Sequence, residues 1–540
     1  MNELLLIVLG VLATAIQVII LVILSIISGW FLAYASIKSK IFENIYIIFI
    51  EIFESVPVIT FFPVVLIIFI TRIGGPLGTQ LATDFLVFTA VVWNIWMGEY
   101  QAFKTVPNEM VEVTQNSGFG LFSKLRYLYI PFSIPRIAAN LFPSVSDGFF
   151  YITVSEVFTV GIHSYQTFGV GSVLDTFVAD ANLHAIYLTL LVLGIVIVGV
   201  VLILREFSRY AVSKYTLDTD VPILKRGRSN IKETTRIFAA ISKNPLSRLS
   251  RYYKYRENER HEEKYEKREK KKKYYRYVYG AVAILLLILI LYESVLLALS
   301  VKIDEWHILF NRTGYLLYSL GYDYLRVLII LLVSMLIAIF LGYYLAVHKR
   351  AEFFGIPIIQ TLSAYPAPIY FPFLFILTEP YIIGVFGGFT NELYVLFLGF
   401  VSTFYYVLYA FWMGVKAMPS EYWEITKNLK LGFFKKMRKV ILPSTFPYLI
   451  SGISSTINSA WGGLMIGEYW PDIYGTHSLE IHTGLMKTID LATANGNIAL
   501  AAWGSLIFGI IVAIYSVAFT RRMMDVAQKK YVAEEGVYSS

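Results

Sequence analysis

Apolar runs of about 20 residues recur along the whole chain, separated by shorter polar segments. A helix needs about 20 apolar residues to cross the hydrocarbon core, so each run predicts one transmembrane helix. In a first block the runs fall at about 4–32, 50–71, 83–103, 137–160 and 183–204. In a second block they fall at about 278–300, 322–347, 358–378, 392–413, 448–469 and 497–519. The pattern predicts an all-α polytopic membrane protein with about 11 spans, because lipid leaves only helices and closed barrels viable. A barrel would show segments of about ten residues with strict alternation, which these runs lack. The broken stretch from Phe42 to Glu54 reads as a short interfacial helix. The run Leu4 to Leu32 has no basic residue ahead of it and exceeds a signal-peptide core, so it reads as a retained helix.

Charged residues at the ends of the runs set an expected orientation. Arg205 and Arg209, His348-Lys349-Arg350 and Arg521-Arg522 each close an apolar run, whereas Glu379 to Glu392 and Asp472 to Asp490 carry few basic residues. Basic flanks face the cytoplasm, which places the N-terminus outside and the C-terminus inside. Three regions follow: 1–207 with five spans, a basic cytoplasmic linker at 208–277, and 278–540 with six spans. Five spans would invert a second copy; the added helix at 278–300 restores parallel orientation.

The two blocks repeat one another. Lys104, Pro107, Glu112, Gly120, Pro131 and Pro135 recur 312 residues later as Lys416, Pro419, Glu424, Gly432, Pro443 and Pro447. Glu156 and Glu468 share that offset, and Ala181-Asn182 pairs with Ala494-Asn495. Physically, each repeated segment reads as a short helix, a glycine turn, and a basic run that proline stops before the next span. A helix held across the cytoplasmic face by two spans suits the transmission of force from a soluble partner.

That pattern resembles the loop that ABC-importer permeases present to their ATPase. Glu112, Gly118, Pro131 and Pro135 fit it in full, and Glu424, Pro443 and Pro447 fit it in the second half. Gly120 and Gly432 belong to the same turns. The sequence departs from the family at Val113-Thr114 and Ile425-Thr426, where the family has small alanines, and at Lys430, which holds the family's glycine position. The second half, through Ala460-Trp461, Gly467-Glu468-Tyr469 and Gly484-Leu485, resembles the nitrate/sulfonate/taurine branch. The resemblance implies two parallel repeats of the type I ABC-importer permease fold, in a multi-pass plasma-membrane protein. It also implies two copies of a cytoplasmic ATPase docked on the two loops, an extracellular substrate-binding protein, and a small, anionic solute.

Composition narrows the chemistry further. The chain has 540 residues, 57% of them hydrophobic, and a mean hydropathy of +0.62. Its net charge of +8 comes from 205–276, where 22 Lys/Arg stand against 10 Asp/Glu; that is a topological signal and not a nucleic-acid footprint. With no cysteine, seven scattered histidines and no Gly-Lys pair, the chain offers no expected metal site and no phosphate loop. No catalytic constellation is expected, and no cofactor belongs to this chain; ATP and Mg would be bound by the partner ATPase. Charged groups inside spans default to functional hypotheses, of which Asp147 is the clearest, its counterpart being Ser459. Asn140, Ser144, Thr456 and Asn458 could supply neutral contacts along a path, although small polar residues on such helices more often serve packing. Glu99, Glu156 and Glu468 read first as groups engaged in helix–helix hydrogen bonds or placed at the membrane interface, ahead of substrate contact. Two rival readings are an ATP-independent secondary transporter, which inverted repeats would favour, and a membrane scaffold recruiting partners through its linker.

Overall fold

In the computed structural model the described residues are 3–55, 62–160, 163–180, 182–215, 302–473 and 477–515, with isolated positions from 518 to 526. The basic linker and the expected span at 278–300 lie outside them. One compact unit comprises 1–225 and 314–540. A second comprises 226–313, of which the described part is the start of one helix.

Seven helical stretches among the described residues are long and apolar enough to cross a membrane. Their outward faces carry the apolar groups a lipid solvent accepts. Helix α1 (Glu3–Lys38) exposes Ile16, Ile20, Ile23 and Leu24, and buries a stripe that includes Gly10, Thr14, Ala15, Ser25, Gly29 and Ala33. Small residues on the buried stripe let neighbouring helices approach closely. The irregular stretch after α1 forms α2 (Lys40–Ser55), and α3 (Phe62–Ile73) follows beyond the undescribed residues 56–61. The expected span at 50–71 is thus shared between two helices.

From there the elements repeat in order. A long helix, α4 (Gly75–Lys104), leads to a short one, α5 (Asn108–Asn116), then to α6 (Leu121–Lys124), a π-helical turn (Leu125–Tyr129) and α7 (Ile130–Ser155). A small hairpin, β1 (Val157–Val160) with β2 (His163–Gln166), precedes the short α8 (Val170–Ala179) and the closing α9 (Leu183–Tyr215). In the second half α10 (Ile303–Ile337), α11 (Tyr343–Val347) and α12 (Lys349–Ala364) stand before α13 (Ala367–Phe386) and α14 (Thr390–Ala417). Then α15 (Ser420–Asn428), α16 (Phe433–Lys436), a π-helical turn (Met437–Ile441) and α17 (Leu442–Gly467) follow. Hairpin β3 (Tyr469–Ile473) and β4 (His477–Glu480), α18 (Leu485–Ala494) and α19 (Ile498–Tyr515) complete the copy.

Two expectations are corrected. The single span expected at 358–378 is interrupted between α12 and α13, where Tyr365 adopts φ −77°, ψ 118°. Pro366 is the cause, since a proline ring drives the preceding residue out of the α region. Conversely, Pro131 and Pro443 do not stop the helix. Each follows a π-helical turn, and the helix continues to Ser155 and Gly467. Widening the turn just ahead of the ring accommodates the lost hydrogen bond that would otherwise break the helix.

Candidate functional site

The repeated segments fold alike despite their sequence differences. At the end of α5 the Phe119 N–H donates to the Thr114 carbonyl at 3.0 Å, and the Gly118 N–H to that of Gln115 at 2.9 Å. This is the double bond of a glycine-capped helix end, with Gly118 at φ +68°. At the end of α15 the Leu431 N–H donates to Thr426 at 3.2 Å, and the Lys430 N–H to Lys427 at 3.0 Å. Lys430 therefore takes the left-handed turn without a glycine, at φ +46°, alone among the described non-glycine residues. Gly120 and Gly432 instead sit in ordinary extended backbone, at φ −70° and −63°. Gly118→Val, a β-branched residue in that region, is expected to cost about 1–3 kcal/mol locally. Gly120→Val should cost little. Limited proteolysis of the 117–121 turn would separate the two.

The inner faces of both loops are anchored by equivalent apolar residues. Val106, Leu125 and Tyr129 are buried in the first, and Met418, Met437 and Ile441 at the same offset in the second. Thr114 and Thr426, in the family's alanine positions, turn inward and are buried. The outer faces present apolar groups to solvent. Phe122 and Phe434 are 75% and 77% exposed, and Val113, Ile425, Glu112 and Glu424 are exposed as well. At each loop's start a lysine is tied back. Lys104 reaches Glu43 at 2.5 Å, and Lys416 reaches Glu352 at 2.9 Å. Lys104 first, and then the Tyr100 hydroxyl, hold the Glu43 carboxyl below the usual range. That bridge contributes fully above the ordinary carboxylate pKa and is lost as pH falls through the lowered one.

Between the two halves lies a cavity of about 70 Å³. Eight of its fifteen lining residues fall in pairs 312 residues apart: Ala90 with Ser402, Trp93 with Tyr405, Asn94 with Tyr406, and Asp147 with Ser459. Tyr406 donates a hydrogen bond from its hydroxyl to Asp147 Oδ1, so one copy's carboxylate is held by the other's phenol. Of the residues the sequence singled out, Asp147, Asn458 and Ser459 meet here. Asn140, Ser144 and Thr456 do not line it: Asn140 donates to the Arg136 carbonyl at 3.1 Å, while Ser144 and Thr456 are buried elsewhere in their helices. Trp93, Asn94, Tyr405 and Tyr406 were missed, although the offset already linking Asp147 to Ser459 pairs them too.

Glu156 and Glu468 are buried and perform one structural task. Glu156 accepts from the Thr14 hydroxyl at 2.6 Å and from the Gly171 N–H, while the Val170 N–H donates to Thr14 Oγ1 at 2.8 Å. The first N–H groups of α8 are thereby satisfied from afar. A side chain at Gly169 would collide with the Glu156 carboxylate, which explains the Gly169-Val170-Gly171 run. At α18 the Lys487 N–H donates to Glu468 at 3.0 Å, and the Leu485 N–H to Asp323 at 2.9 Å. Here Asp323 stands where Thr14 stood, and Arg326 offsets the charge. It donates to Asp323 at 2.9 Å, to Glu392 through two nitrogens at 2.8 and 2.7 Å, to Glu468 at 3.3 Å and to the Thr483 carbonyl at 2.8 Å. Glu99 differs from both: it is fully buried, neither carboxyl oxygen has a hydrogen-bond partner among the described residues, and its counterpart is Phe411. Among the described residues no cluster could hold a metal ion.

Comparisons with known proteins bear on the second half of the chain, which holds α15 and α16. Residues 334–532 match the family described as binding-protein-dependent transport system inner membrane component. A bicarbonate transport system permease protein, CmpB of Synechocystis, is 30% identical over 78 residues, covering 14% of this chain and 28% of that protein. A nitrate import permease protein, NrtB of Leptolyngbya laminosa, is 28% identical over 93 residues, covering 15% and 33%. The matches span about a third or less of these relatives' length. The second half of the chain is thus similar to binding-protein-dependent transport system inner membrane components.

Proposed function

We propose that this chain is a fused permease of an ATP-driven importer, both of whose halves sit in one polypeptide and line one translocation path. The cavity supports this reading: both copies line it, four pairs of its residues are equivalent positions of the two copies, and Asp147 of one copy is bonded to Tyr406 of the other. Two copies of a separate cytoplasmic ATPase would dock on the outer faces of α5–α6 and α15–α16, around Glu112, Gly118 and Gly120 and around Glu424, Lys430 and Gly432. The helices that run on through Pro131, Pro135, Pro443 and Pro447 lead from those loops to Asp147 and Ser459, so movement of a loop has a rigid route to the cavity. An extracellular binding protein would deliver the solute, and the relatives' names put small anions first among solutes to try. The reading places both loops and the C-terminus inside and the N-terminus outside the plasma membrane. No step of ATP hydrolysis is assigned to this chain.

The test is the activity of a co-expressed ATPase with the chain in lipid vesicles. Stimulation by the natural sequence, abolished by Glu112→Ala with Glu424→Ala, is the expected result. Stimulation that survives in the double variant overturns the docking assignment.

A further inference from the structure

The chemistry of the cavity bears on what passes through it. Two carboxyl side chains, Asp147 and Glu54, line it. Among the described lining residues there is no lysine, arginine or histidine. The rest of the wall is aromatic or neutral and polar, with Trp93, Tyr151, Tyr405 and Tyr406 contributing rings or hydroxyls. A solute whose only charge is negative would meet two like charges here and no counter-charge. A positively charged nitrogen would meet the reverse: carboxylates to pair with and ring faces that attract cations. Asp147 does not hold the fold together in the way Glu156 and Glu468 do, since it accepts from the Tyr406 hydroxyl and caps no helix end. Charged side chains within spans are costly to keep, and the second copy manages with Ser459 at the position of Asp147.

We propose that the cavity between the halves is a cation-selective station, and that the imported solute presents to it a protonated amine or quaternary ammonium, with or without a separate anionic group. The inference rests on the permease reading, and it replaces the purely anionic solutes that the relatives' names suggest with ones that carry a cationic nitrogen. Asp147 is the selecting residue, held in place by Tyr406; Glu54 adds to the same field.

The absence of cysteine gives a clean test. In the full chain carrying Ser459→Cys, reconstituted in nanodiscs, the rate of modification by a trimethylammonium-bearing methanethiosulfonate is compared with that by its sulfonate-bearing analogue. In each case the thiolate attacks the sulfenyl sulfur, a disulfide forms and methanesulfinate leaves, so the two reagents differ only in charge. The expected ratio of cationic to anionic rate is at least tenfold above the ratio for a small free thiol. Adding Asp147→Asn should bring it most of the way back. A ratio at or below that of the free thiol overturns the proposal. So does silence to both reagents when Ser117→Cys, on an exposed loop, reacts. The ATPase assay is independent of this result. Failed stimulation with an intact rate ratio sinks the permease reading, and the opposite pair of results sinks only the solute class.

Discussion

Arg326→Met is expected to be the most destabilising single change in the described structure. The guanidinium is 6% exposed and faces Asp323 and Glu468, both fully buried, as well as Glu392. Removing one partner of a buried ion cluster leaves the others desolvated and unpaired, at a cost of about 3–5 kcal/mol. The loss would reach beyond the cluster. Asp323 and Glu468 accept from the N–H groups of Leu485, Met486 and Lys487, so their protonation or displacement would also uncap α18. The first copy shows how the same helix start is capped without an arginine, by Thr14 and Glu156. Arg326→Met combined with Asp323→Thr should therefore recover part of the loss, because one buried charge is removed and a cap of the Thr14 type remains. The measurement is thermal unfolding of the purified protein followed by tryptophan fluorescence. A melting midpoint unmoved by Arg326→Met would mean that the carboxylates are neutral or hydrated, and that the cluster contributes nothing.

This cluster also marks a limit of what the sequence discloses. Asp323 and Arg326 stand at the start of the expected span at about 322–347. Their i,i+3 spacing was a signal, but Glu392 and Glu468 join them only through the packing of distant helices. The hairpins Val157–Gln166 and Tyr469–Glu480 were invisible for another reason: strands of four or five residues between helices carry too little alternation to register. By contrast, the apolar runs, the turn at Gly118 and the repeat were plain, because each rests on local chemistry or simple spacing. The same offset predicted less than it could have. Carried into the expected third spans, it joins Trp93 to Tyr405 and Asn94 to Tyr406, and so outlines the cavity wall. What it could not tell was that Lys430 would adopt the turn of Gly118. Lysine in that region is strained, and the hydrogen bonds of the second loop hold it there.

The preserved shape of the second loop leads to the other large effect. Phe122 and Phe434 are the most exposed aromatics of their loops, and each stands on a scaffold whose inner face is firmly packed. Nothing in the fold needs either ring, so Phe122→Asp and Phe434→Asp should leave the melting midpoint nearly unchanged. If the rings seat in a partner ATPase, each substitution removes a buried aromatic anchor, of the kind that carries about 2–4 kcal/mol of binding. Association measured by titrating the ATPase against the chain in nanodiscs should then weaken by about 30-fold or more at the altered loop, since 1.4 kcal/mol is a factor of ten. Because the two turns share one hydrogen-bond pattern, the single variants should weaken binding alike, and the double variant should abolish stimulation. A strong effect at Phe122 with none at Phe434 would make the second loop a retained shape without a partner, and the strain at Lys430 would then have no functional return. Equal effects would show that an identical backbone turn, and not the glycine that usually builds it, is what the partner recognises.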